Sequence, residues 1–126
     1  MIDSNNTERL SRSLDVNVAR YRLITNNLAN VETPGYRTRD LDFRGELRRA
    51  TLPEANSQGG VLYASFAAVA RPVRGLLERP DGNNVSLERE SLLMAETQMR
   101  YNLGIQLLKD EFHGISAAIN SGGSAS

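Results

Sequence analysis

The sequence predicts a mainly α fold, with long N- and C-terminal helices pairing as an antiparallel coiled coil around an irregular middle that carries short β-strands. Three observations carry this reading. Apolar residues recur at alternating threes and fours near both ends of the chain. The Gly, Pro and Asn turn formers crowd between those ends. Across 126 residues there are only three Phe, four Tyr and no Trp, which leaves the middle short of large anchors. A chain of this length forms one domain at most.

Residues 1–6 are expected to be a flexible N-terminus. From Leu10 the apolar positions Leu10, Leu14, Tyr21, Ile24, Leu28 and Val31 form a heptad seam, interrupted only at Asn17. Asn5, Asn6 and Thr7 offer caps before it, and Asn30 with Pro34 offers a stop. The spacing predicts a helix from about Thr7 to Asn30, within a coiled-coil segment of residues 7–31. Asn17 has two readings: a seam position turned partly to solvent, or a buried polar residue that fixes register.

Residues 32–85 read as an extended, β-rich segment. Thr33-Pro34-Gly35-Tyr36 suits a type II turn, because Pro presets φ at the second position and Gly accepts positive φ at the third. Asp40, Leu41, Asp42 and Phe43 alternate in polarity, as in a short strand. Gly59 and Gly60 break the chain before the apolar patch 61–69. Gly75 to Arg79, the turn Pro80-Asp81-Gly82-Asn83, and Asn84 to Ser86 predict a small hairpin leading into the last helix.

That helix is predicted over 86–120, with Ser86 as its cap and Glu88 and Glu90 placed to complement the helix dipole. Its seam runs Leu87, Met94, Tyr101, Ile105, Leu108, Phe112, Ile115 and Ile119, with Ser91 and Gln98 as polar members. A second row, Met99, Leu103 and Leu107, makes the apolar stripe wider than one partner helix covers, and so points to contacts between subunits. Residues 121–126 form a Gly and Ser tail expected to be disordered.

Charge and chemistry exclude most other classes. Fifteen basic residues balance fifteen acidic ones, which gives no net pull on nucleic acid. Cysteine is absent, so disulfides, thiolate metal sites and a cysteine nucleophile are excluded. His113 has no ligand or triad partner at useful spacing and reads as a surface residue. Asp40 and Asp42 could share a strand face and hold a cation, but Arg37, Arg39 and Arg44 around them favour a solvated mixed-charge edge. Arg48 and Arg49, like Arg71, Arg74 and Arg79, read as solvated arginines covering apolar surface with their stems. No phosphate loop, nucleophile elbow or metal motif is present. The expectation is a structural protein: no enzyme, no cofactor, no nucleic acid and no membrane insertion. The first fourteen residues lack the pattern of a cleaved signal peptide.

Asn26-Asn27-Leu28-Ala29-Asn30 followed by Thr33-Pro34-Gly35-Tyr36-Arg37 resembles the N-terminal signature of the bacterial flagellar axial proteins, the family of rod, hook and hook-associated subunits. Arg39 to Phe43, Arg79 to Asn83 and the stretch with Met94, Tyr101, Leu107, Leu108 and Phe112 are similar to its small, proximal-rod members. The resemblance spans Leu10 to Ile119 and is loose between Pro53 and Leu76. It departs at Val31-Glu32, at Thr97 where an asparagine is more usual, and in the tail after Asn120.

The resemblance implies a subunit of the periplasmic rod in the flagellar basal body. Such a subunit assembles helically through its terminal helices, transmits torque and surrounds the export channel. The implied partners are copies of itself, other rod and basal-body proteins and, transiently, the flagellar type III export gate. Asn27, Leu28, Ala29, Asn30, Thr33, Pro34, Gly35 and Tyr36 become an assembly motif. Phe43-Arg44-Gly45-Glu46-Leu47 resembles a gate-recognition element, with Phe43 and Leu47 as its aromatic and apolar members. The family leaves the cell unfolded and uncleaved. The other reading open here is a soluble helical adaptor that forms a closed homodimeric bundle. It explains the periodicity but not the signature.

Overall fold

A computed structural model describes residues 4–51 and 68–123, and five elements appear among them: helix α1 (Ser4–Ala29), strand β1 (Arg39–Asp40), helix α2 (Phe43–Thr51), strand β2 (Arg71–Pro72) and helix α3 (Leu87–Gly123). The expectations for Gly59, Gly60 and most of the 61–69 patch lie outside the described residues.

α1 and α3 run antiparallel, as expected. Asn27 meets Glu90 near the turn-bearing end, and Leu14 meets Gly104 farther along, so partners fall in number on α3 as they rise on α1. Both helices exceed their predicted spans. α1 begins at Ser4, within the stretch expected to be flexible, and α3 runs through Ser121 to Gly123, which were expected to be disordered. Ser86 does cap α3: its hydroxyl accepts from Arg89 N–H at 3.3 Å and its carbonyl from Glu90 N–H at 3.0 Å. Beyond the Leu14–Gly104 level α1 has about ten residues left and α3 about nineteen. At 1.5 Å per residue the end of α3 therefore overhangs by roughly 13 Å.

The face of α3 that closes on α1 is displaced from the anticipated seam. Glu90, Thr97 and Gly104, seven residues apart, are the buried positions. Met94, Ile105, Leu108 and Ile115 flank them half-buried. Leu87, Tyr101, Phe112 and Ile119 are exposed, Ile119 by 67%. The reason is steric: a Cβ on Gly104 would lie 2.7 Å from Leu14 Cδ2, so the helices approach through the residue without a side chain. On α1, Leu14 and Ile24 are buried, Leu10 and Leu28 are half-buried, and Tyr21 is exposed; Val31, half-buried, lies just past the helix end. Asn17 is 2% exposed, which decides for burial over a solvent-facing position. Its Nδ2 donates to Ser13 O at 3.0 Å.

The middle is less extended than expected, since Phe43–Thr51 is helical. Asp42 is its N-cap, with its carbonyl accepting from Glu46 N–H at 2.8 Å. Glu46 in the first turn and Arg48 and Arg49 in the last match the helix dipole. Four alternating residues were too little to fix a strand, and tertiary packing won: Phe43 and Ala68 close over Val16 and Leu41, with Ala19 and Leu23 beside them. The predicted turn at 80–83 is present, with Arg79 N–H donating to Asn83 O at 2.8 Å, but its legs are not strands. The strand pair is β1 with β2, antiparallel, with Arg39 opposite Pro72 and Asp40 opposite Arg71.

Candidate functional site

The signature residues lie where α1 ends. Asn30 Nδ2 donates to Asn26 O at 2.8 Å, and Asn30 Oδ1 accepts from the Thr33 hydroxyl at 3.1 Å, so one side chain both closes the helix and opens the turn. Tyr36 N–H donates to Thr33 O at 3.2 Å, and Gly35 has φ of 73°, which is the type II turn expected. A second turn, Arg79 to Asn83, leans on the first. Gly35 N–H donates to Asp81 O at 2.8 Å. The fully buried Asn83 shares its amide among the carbonyls of Asn30 (2.9 Å), Val31 (3.1 Å) and Thr33 (2.8 Å). Its Oδ1 accepts from Val85 N–H at 2.8 Å. The Arg79 guanidinium donates to Val31 O, which corrects its reading as a merely solvated arginine.

Asn27 is the centre of a polar lock. It is 1% exposed and uses both ends of its amide. Nδ2 donates to Arg39 O (2.8 Å) and to Glu90 Oε2 (3.1 Å), while Oδ1 accepts from the Tyr36 hydroxyl and from Arg39 N–H, both at 3.1 Å. This one side chain ties α1, the turn, β1 and α3 together. Glu90, wholly buried, receives Arg89 at 2.7 Å on its other oxygen. Arg89 also reaches Asp40 at 3.2 Å, and Arg20 grips Asp40 in a two-pronged pair at 3.2 Å each. Thr38, also fully buried, donates its N–H to Asn84 Oδ1 at 2.7 Å and its hydroxyl to Asn84 O at 3.2 Å. Burial pushes the Tyr36 phenol up from its ordinary value; Arg39 opposes that and Glu90 adds to it.

Asp40 and Asp42 therefore do not work as a pair. Asp40 is held by two arginines and Asp42 begins α2. Among the described residues no group of His, Cys, Asp and Glu is placed to hold a metal ion, and His113 is exposed. No described helix is long and apolar enough to cross a membrane. The arrangement fixes geometry: its buried carboxylates are neutralised and hydrogen-bonded, as buried charges must be.

Of the residues expected to form an assembly motif, Asn27 is buried, Leu28, Asn30 and Tyr36 are half-buried, and Ala29, Thr33, Pro34 and Gly35 face outward. Phe43 and Leu47 are both half-buried on α2. The Arg100 guanidinium lies 4.6 Å and that of Arg20 5.8 Å from the Phe43 ring centre. Sequence reasoning missed Asn83, Asn84, Thr38, Arg20 and Arg89 as parts of one site, and took Glu90 for a dipole partner. The pair Asn83-Asn84 directly before a helix was the signal available.

No family model matches the chain. Among characterised proteins it is similar to the flagellar basal body rod protein FlgB of several bacteria. It is 35% identical to that of Cereibacter sphaeroides over 117 residues, covering 86% of this chain and 89% of the relative. The Salmonella typhimurium protein is 29% identical over 123 residues, with 87% and 89% covered. The Escherichia coli K12 protein is 28% identical over 123 residues, at the same coverage. With 86% of its length matched at 35% identity, the chain belongs to the family of the flagellar basal body rod protein FlgB.

Proposed function

We propose that this chain is a structural subunit of the flagellar basal-body rod, built into the proximal rod through its two terminal helices, and that it catalyses nothing. The observation that carries this is the 35% identity to a flagellar basal body rod protein across 86% of the chain. The exposed row of α3 supports assembly, since Leu92, Met99 and Leu103 are 60–73% exposed on the side away from α1. A repeating subunit needs such unspent surface for heterologous contacts. In this reading the lock around Asn27 holds the two helices in the one geometry that neighbours accept. The rod subunit lies in the periplasm, surrounds the export channel, carries torque, and reaches its place through the flagellar type III gate, which reads Phe43 and Leu47.

Deleting the coding sequence in its own bacterium tests this directly. Basal bodies without rods, and non-swimming cells rescued by the plasmid-borne gene, are expected; a deletion strain that completes its rods overturns the proposal. Sedimentation of the purified chain separates it from the closed-dimer reading: association that continues with concentration fits a rod subunit, and association that stops at two copies fits the adaptor.

A further inference from the structure

Leu77 is 95% exposed, more than any other large apolar residue among those described. It is held out on a tethered loop. Val73 N–H donates to Thr38 O at 3.0 Å before it; after it, Glu78 pairs with Arg37 at 3.0 Å and Arg79 N–H donates to Asn83 O at 2.8 Å. These bonds place the leucine at the turn-bearing end of the hairpin. One exposed leucine is ordinary by itself; this one gains meaning from a receiving surface at the other end. There, beyond the Leu14–Gly104 crossing, α1, α2 and α3 border an open groove with Leu10, Leu47 and Leu107 as its apolar lining. At about 1090 Å³ it exceeds the ~300–1,000 Å³ of small-molecule pockets and suits a segment of chain. Gly114 also lines it, and a Cβ there would meet nothing within 4 Å.

The walls of the groove differ in sign. α3 contributes Asp110 and Glu111, whereas α1 and α2 contribute arginines, Arg9 and Arg44 among them. The Leu77 loop carries both matching charges. Arg74 is exposed and has no ion-pair partner among the described residues. Glu78 follows Leu77 directly, in a pair with Arg37 that is half open to solvent and so easily exchanged.

We propose that Leu77 of one copy seats in this groove of the next, with Arg74 toward Asp110 and Glu111 and Glu78 toward Arg9 and Arg44. The contact deepens the rod-subunit reading and rests on it. Knob and groove lie at opposite ends of the hairpin, so the contact is head-to-tail and does not close after two copies. A copy cannot fill its own groove, because Glu90, at the knob's end, and Gly114 are separated by 24 residues of α3, roughly 36 Å.

The chain has no cysteine, so one introduced thiol reports one position. Leu77→Cys and Gly114→Cys are purified separately, checked for native helix content, mixed and oxidised gently. A disulfide needs Cα atoms within about 7 Å, so even a weak contact is read by which thiols join. Bonds from 77 to 114 should outnumber either like pair about tenfold, where random collision gives about twofold. Adding Glu111→Arg to the groove copy should remove most of that excess, and Arg74→Glu on the knob copy should restore part of it. If either cysteine disturbs the fold, Arg74→Cys with Glu111→Cys replaces the pair. A second arm uses Leu77→Ala and Gly114→Leu, the latter filling the groove at a position where the chain's own structure has room. Neither variant should associate alone, and their mixture should stop at one-to-one pairs, since each supplies one intact half. Random joining overturns the contact, and an excess of 77-to-77 or 114-to-114 bonds overturns it in favour of a closed dimer. If joining is random yet Gly114→Leu abolishes rods in cells, a different basal-body protein fills the groove and the proposal also falls. The rod reading is judged separately, by the deletion strain.

Discussion

The two ends of the helical hairpin are built on opposite principles. At the turn-bearing end, Asn27, Thr38, Asn83 and Glu90 are all almost completely buried and satisfied by named partners, so the end is defined by directional bonds. At the open end, α3 outruns α1 and presents Phe112 and Ile119 to solvent, 56% and 67% exposed. Polar lock and apolar overhang teach one lesson: the first makes the chain a single shape, and the second leaves apolar surface that the chain itself does not cover.

The largest blow to this contrast should come from Asn27→Ala. It strips a partner from Glu90, Tyr36 and both backbone groups of Arg39, and should cost on the order of 3 to 5 kcal/mol. A urea titration followed by circular dichroism measures it, and a loss under about 1 kcal/mol would show that the lock does not set stability. Between the two ends, Gly104→Ala should cost about 1 to 3 kcal/mol by crowding Leu14. Combining it with Leu14→Ala should return part of that cost, and strict additivity would mean the two helices do not meet there.

At the turn, Gly35→Val should cost about 1 to 3 kcal/mol through its positive φ alone, because a Cβ there meets nothing within 4 Å. Gly35→Asn, which tolerates that conformation, should lose much less; equal losses would point to contacts instead of backbone strain. Tyr36→Phe is smaller, about 1 kcal/mol for a single hydrogen bond to Asn27. Its pH dependence sharpens the point. The folded phenol binds its proton more tightly than the unfolded one, so its contribution is whole below about pH 10 and fades as pH rises through the folded value. Melts from neutral to alkaline pH should show that loss in the parent and less of it in the Phe variant. On the exposed face of α3, Leu103→Ala should move the stability of the dilute chain by under about 0.5 kcal/mol yet impair rod assembly in cells. A large loss of monomer stability would mean that this face is already spent within the chain.

Local signals were readable where the structure is local. The caps at Ser86, the type II turn at Gly35 and the reversal at Pro80 to Asn83 depend on φ preferences and on hydrogen bonds a few residues long. α2 was not readable, because Gly45 weakens it and its stability comes from packing on Val16 and Leu41 together with a stack on Arg100, far away in the chain. The lock was half legible. The signature named Asn27 and Tyr36, but their partner Glu90 stands 63 residues from Asn27 and gave no sign of being buried.

By itself the sequence determined the two long helices, their antiparallel return and the turn that ends the first, because periodicity, caps and glycine conformations act over a few residues. Only the tertiary structure decided which face of α3 meets α1 and which polar side chains go inside. Apolar spacing marks several candidate stripes on so long a helix. The choice among them falls to close approach at Gly104 and to the pairing of buried Asn27 with buried Glu90, both of which depend on residues brought together from opposite ends of the chain.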